Sequence, residues 1–115
     1  MDFARKASRI PSVGATTNAT LAKVGSGVLY AVSGYNAAAS VRYIKFYNMA
    51  TAPTVGTDVP VMTLAVPATA PFNITLPNGF LFTVGIAYGI VTGAADNNTT
   101  APSAADIVGL NVVYA

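Results

Sequence analysis

The chain has 115 residues, of which 53% are hydrophobic and only 9% are charged, and its formal net charge is +2 at pH 7. Cys, His and Glu are absent, so the sequence excludes thiol chemistry, zinc fingers and catalysis by a histidine base. We therefore expect a protein that is not an enzyme and that binds no cofactor or metal. A single domain of this length buries about two thirds of its unfolded surface without a disulfide.

The N-terminal segment carries the whole net charge. Three bases and one acid in residues 1–11 give +2, whereas the three bases and three acids of residues 12–115 cancel. We predict an extended basic N-terminal arm at 1–14, followed by a single domain at 15–115, and an acidic protein surface as the arm's partner. The alternative is a terminus without function. The candidate contact residues of the arm are Phe3, Arg5, Lys6 and Arg9.

Short runs of Val, Thr, Ile, Phe and Tyr, separated by Gly, Pro and Asn-Gly, predict an all-β fold. The predicted strands lie near residues 15–24, 26–35, 39–48, 59–66, 70–76, 79–84, 85–92 and 106–114. About eight strands are typical of an antiparallel β-sandwich of the jelly-roll kind. Pro77-Asn78-Gly79 predicts a hairpin turn between two of them, because Asn-Gly favours the left-handed backbone that such a turn needs. Alternation places two apolar sets inward: Phe72, Ile74 and Leu76, and Val108, Leu110, Val112 and Tyr114.

The strand at 41–48, "VRYIKFYN", has aromatic residues on both faces. We assign Ile44 and Phe46 to the core, which turns Tyr43, Lys45 and Tyr47 outward as candidate subunit contacts. A Tyr-Lys-Tyr stripe is also the kind of surface on which sugars or bases stack. One cation is too little for binding driven by phosphate charge, so we expect no nucleic-acid partner.

Residues 93–105 predict a long polar loop before the last strand. Its Asp96-Asn97-Asn98-Thr99 has several oxygens, as calcium sites do, but one carboxylate and no Glu favour a simple turn. Asp96 and Asp106 are a weak candidate for paired catalytic carboxylates. The longest apolar stretch, 80–91, is broken by glycines and is too short to span a bilayer, so no membrane partner is expected.

Five segments carry a resemblance to known proteins: "GVLYAVSGYN", "RYIKFYN", "ATAPTVGTDVPVMTLAVP", "LPNGFLFTVGIAYGIVTGAADNNTTAP" and "DIVGLNVVYA". Together they resemble small virion proteins of tailed bacteriophages and prophages over about residues 20–115. The resemblance implies a non-enzymatic structural protein, similar to the β-sandwich decoration or cement proteins that sit as trimers on capsids. It also implies the major capsid protein as partner and the outer capsid surface as location.

Two alternatives remain at this point. A tail, collar or baseplate component is also a small structural β-sandwich. A carbohydrate-binding module for host adhesion belongs to another class, and it needs an exposed aromatic platform such as Tyr43 and Tyr47.

Overall fold

A computed structural model describes residues 4–115, so Phe3, one of the predicted contacts, lies outside the described residues. The strands are β1 (Lys6–Ser12), β2 (Thr20–Val24), β3 (Gly27–Asn36), β4 (Arg42–Asn48), β5 (Met62–Val66), β6 (Ala70–Phe82), β7 (Gly85–Val91) and β8 (Ile107–Tyr114). The prediction of an all-β, eight-stranded fold is confirmed.

The strands form two antiparallel four-stranded sheets packed as a sandwich. Sheet A has the order β1-β8-β3-β6 and sheet B has the order β2-β7-β4-β5. The pairs are nested, because β1 pairs with β8, β2 with β7, β3 with β6 and β4 with β5. One long hairpin rolled up into two sheets produces this pairing, which is that of a jelly roll.

The core lies between the two sheets and is built by alternate residues of each strand. Ile44 and Phe46 of β4 are fully buried there, as predicted. The centre of the Phe46 ring is 6.3 Å from that of Phe82 in sheet A and 5.7 Å from that of Tyr88 in sheet B. The inward set predicted in β6 is also confirmed: Phe72, Ile74 and Leu76.

Residues 6–12 are a strand of sheet A, which corrects the prediction that they belong to an extended arm at 1–14 outside the domain. β1 pairs with β8 along its length. Ile10 packs against the core, and the Ser8 hydroxyl shares a 3.0 Å hydrogen bond with the hydroxyl of Tyr88 in the opposite sheet. The sequence hid this strand because an edge strand with basic residues has little apolar alternation.

The Pro77-Asn78-Gly79 segment forms a bulge inside β6, so the predicted hairpin at this point is wrong. Asn78 and Gly79 do adopt the left-handed backbone that the sequence predicted, with φ of 65° and 79°. The chain nevertheless stays paired with β3 on both sides of them, and only the register shifts. The left-handed pair therefore bends one long strand and does not reverse its direction.

A second bulge changes the buried face of β8. Gly109 has φ of 61°, and the register between β8 and β3 shifts next to it. Leu110 and Val112 are buried as predicted. On the other side of the bulge Ile107 occupies the core, so the assignment of Val108 to that face is wrong.

Candidate functional site

The stripe formed by Tyr43, Lys45 and Tyr47 lies on the outer face of sheet B, where alternation placed it. It is not open to solvent. Lys45 is 0% exposed, Tyr47 is 1% exposed and Tyr43 is half-buried. The stripe therefore has the predicted orientation, but Lys45 and Tyr47 are covered within the chain and expose almost no surface to another subunit. For Tyr43 the subunit contact stays a prediction.

Two loops of the same chain cover the stripe, one between β4 and β5 (49–61) and one between β7 and β8 (92–106). Val55 of the first loop lies over Gly89 of β7, the residue paired with Lys45; a Cβ at Gly89 would come within 2.8 Å of the Val55 side chain. Gly56 lies against Thr99 of the second loop. The absence of a side chain at Gly89 is thus what allows a loop to sit directly on the sheet.

Burial changes the protonation of the covered groups. Desolvation lowers the pKa of Lys45, and the negative charge of Asp96 offsets part of that effect. The Lys45 ammonium donates a hydrogen bond to the carbonyl of Ala95 in the second loop. Desolvation raises the pKa of Tyr47, and the charges of Asp58 and Asp96 raise it further. The Lys45 ammonium on the sheet therefore binds the loop 92–106 that covers it.

Asp106 also has a structural role at the base of the second loop. Its carboxylate accepts hydrogen bonds from Nε of Arg42 and from the amide of Ser103, both at 2.9 Å. The Arg42 and Asp106 side chains are 16% and 12% exposed. The Asp96–Thr99 segment, which was compared with calcium sites, forms a turn: the backbone amide of Asn98 donates a hydrogen bond to the Ala95 carbonyl at 3.0 Å.

Three of the predicted contact residues of the N-terminal segment, Arg5, Lys6 and Arg9, are exposed on or beside the edge strand β1. Lys6 and Arg9 belong to β1, and Arg5 precedes it. The Arg5 guanidinium lies 3.9 Å from the centre of the Tyr30 ring on β3, a cation–π contact. Lys23 of β2 adds a fourth cation, and with Lys6 it lines a cleft of about 210 Å³ between the two sheets. We call this side, with Lys6, Arg9 and Lys23, the cationic flank; the Arg5 guanidinium lies next to it, over Tyr30 of the central strand β3.

The edge strands β5 and β6 lie on the opposite side of the sandwich. We call these two strands, with the adjoining residues Val59 and Val61, the uncharged flank, because none of these residues is charged. Its four exposed large apolar residues are Val59, Val61, Phe80 and Leu81. The sequence pattern did not predict this surface, although one signal was visible: no Asp, Lys or Arg occurs between Asp58 and Asp96.

Within residues 4–115, no group of three or more metal-ligating side chains lies together. No helix in that part of the chain is long and apolar enough to cross a membrane. Comparison with protein-family models, with curated proteins and with solved structures finds no match to this chain. The fold is therefore assigned from the strand order alone, and the surfaces of the molecule are what indicate its function.

Proposed function

We propose that the chain is a non-enzymatic structural protein of a tailed-phage virion, and that it decorates the outer surface of the capsid as a homotrimer. The resemblance over residues 20–115 supports the phage assignment. The jelly-roll order is compatible with it, but that fold serves many functions and does not decide between them.

The observation that carries the proposal is the cationic flank. Lys6 and Arg9 are exposed on a strand that is hydrogen-bonded into sheet A, and Arg5 is held against Tyr30. Because the backbone of Lys6 and Arg9 is already fixed in the sheet, these cations lose less backbone freedom on binding than cations on a flexible arm. A rigid basic edge suits attachment to an acidic surface, which we assign to the major capsid protein.

Several copies joined together would strengthen this attachment. Each exposed ion pair contributes little, about 0.2–1 kcal/mol. A trimer presents three such edges at once, and multivalent binding turns weak single contacts into durable attachment.

A tail, collar or baseplate component uses the same surfaces, and only its position in the virion distinguishes it. The carbohydrate-binding alternative loses its support in this fold, because Tyr47 and Lys45 are covered by the loops 49–61 and 92–106. Stacking on a sugar requires an accessible aromatic face.

The direct test is to locate the chain in virions of the phage that encodes it, by antibody labelling and electron microscopy. Label over the whole capsid shell supports decoration. Label confined to the tail or neck supports the other structural alternative, and virions without the chain refute the proposal.

A binding experiment tests the cationic flank itself. The double variant Lys6→Ala, Arg9→Ala should bind capsids lacking the protein about 2- to 30-fold more weakly per subunit, from two exposed pairs of about 0.2–1 kcal/mol each. The matched control is Lys6→Arg, Arg9→Lys, which keeps both charges. Equal capsid occupancy by the alanine variant and the control would contradict this role of the flank.

A further inference from the structure

The edge strands of the two flanks differ in whether they contain charged residues. On the cationic flank, β1 contains Lys6 and Arg9, and β2 contains Lys23 and a register shift. Charged residues and irregularities on an edge prevent another strand from adding to it. On the uncharged flank, neither β5 nor β6 contains any charged residue, so protection by charge is missing there, although β6 has Pro77 and a bulge.

The exposed apolar residues of the uncharged flank converge on one end of it. Leu81 pairs with Val28 on β3, and the ring of its neighbour Phe80 lies 5.2 Å from that of Phe82. Phe82 contacts Phe46, whose carbonyl accepts a hydrogen bond from Val61. Leu81 is 60% exposed and Val59 is 72% exposed.

The exposed apolar side chains of the flank lie at residues 59–61 and 80–81. Pro77 and the bulge interrupt the β6 edge, so these side chains carry more of the contact than one continuous strand ladder.

Charge indicates what covers this flank. A partner surface with unpaired charges would have to be stripped of water without gaining a counter-charge, which opposes binding. The cationic flank of another copy is such a surface, so head-to-tail stacking is disfavoured. The uncharged flank of another copy has no charge to desolvate, and rotational symmetry brings the same flank of every copy to the axis.

We infer that the uncharged flank, the β5 and β6 edges with Val59 and Val61, is the surface through which copies of this chain associate. The inference deepens the proposed function by naming the contact within the trimer. It is tested without any capsid, so its failure is distinguishable from absence of the chain from virions.

The experiment is light scattering behind a sizing column on the wild type and on Leu81→Lys, with Ala7→Lys on the cationic flank as control. Both variants add one cation at an exposed position of an edge strand. We expect the wild type and the control to have a multiple of the 11.7 kDa chain mass. We expect Leu81→Lys to fall to a single chain mass while its circular dichroism stays unchanged.

Val59→Lys serves as a second variant if Leu81→Lys does not fold, because Val59 lies in a loop. A wild type with the mass of one chain would overturn the inference and leave the flank to a different partner. An oligomer that keeps its mass in both flank variants would overturn it as well.

Discussion

At the scale of single residues, Lys45 is the least expected feature of this protein. A buried ammonium is costly unless it has partners, and this one has the Ala95 carbonyl and the nearby charge of Asp96. Lys45 pairs with Gly89, the residue over which the Val55 side chain of the first loop lies. Lys45 therefore belongs to the packing of a loop on a sheet.

Replacing Lys45 by Met should leave the protein at least as stable at pH 7. The stem keeps its length, and the desolvation cost of the ammonium disappears. Lys45→Ala is the control, because it removes the stem too and should lower the free energy of unfolding by about 2 kcal/mol or more. Urea denaturation measures both. An equal loss in the two variants would mean that the hydrogen bond to Ala95 matters more than the stem.

The pH dependence of stability tests the lowered pKa of Lys45. The folded chain holds this proton less tightly than the unfolded chain, so stability rises with pH between the lowered folded pKa and the ordinary 10.5. Any advantage of Lys45→Met over the wild type should therefore shrink from pH 7 toward pH 10. Tyr47 acts in the opposite direction above its ordinary 10.0, since its raised pKa makes stability fall there. A constant difference between the two proteins across this range would contradict the assignment.

At the scale of elements, the sequence predicted the backbone conformation of short segments better than it predicted how those segments pair and pack. Asn78-Gly79 was correctly assigned to a left-handed backbone, but such a pair bends a strand as readily as it reverses one, and only the pairing with β3 decides. The alternation in β4 correctly separated Ile44 from Lys45. It could not show that loops fold over the second face, because those contacts join residues 50 positions apart.

The first strand provides an element-scale prediction. If β1 is part of the sandwich, neighbouring residues on its two faces should respond differently to substitution. Ile10→Ala should lower the free energy of unfolding by about 1 kcal/mol, because the side chain is half-buried against the core. Arg9→Ala, one position away and exposed, should change it by less than about 0.5 kcal/mol. Thermal unfolding measures both, and equal small effects would indicate a free arm instead.

At the scale of the whole molecule, the few charges are separated in space. Arg42 is paired with Asp106, Lys45 is buried and Arg5 lies over Tyr30, so the other cations of residues 4–115 lie on the cationic flank. The opposite flank is apolar and uncharged. A small β-sandwich with such a division offers two contacts of different physical character, one electrostatic and one hydrophobic.

The two contacts should respond oppositely to salt. Raising the salt concentration from about 0.1 to about 1 M shortens the Debye length from about 10 to about 3 Å, which screens the exposed cations. Attachment to capsids through Lys6 and Arg9 should weaken, as measured by co-sedimentation. Self-association through Leu81 and Val59 should be unchanged in sodium chloride and stronger in sulfate, because excluded salts favour apolar burial. Sedimentation velocity in the same buffers measures the self-association. If self-association also fell with salt, cations would take part in both contacts and the proposed division of the two flanks would be wrong.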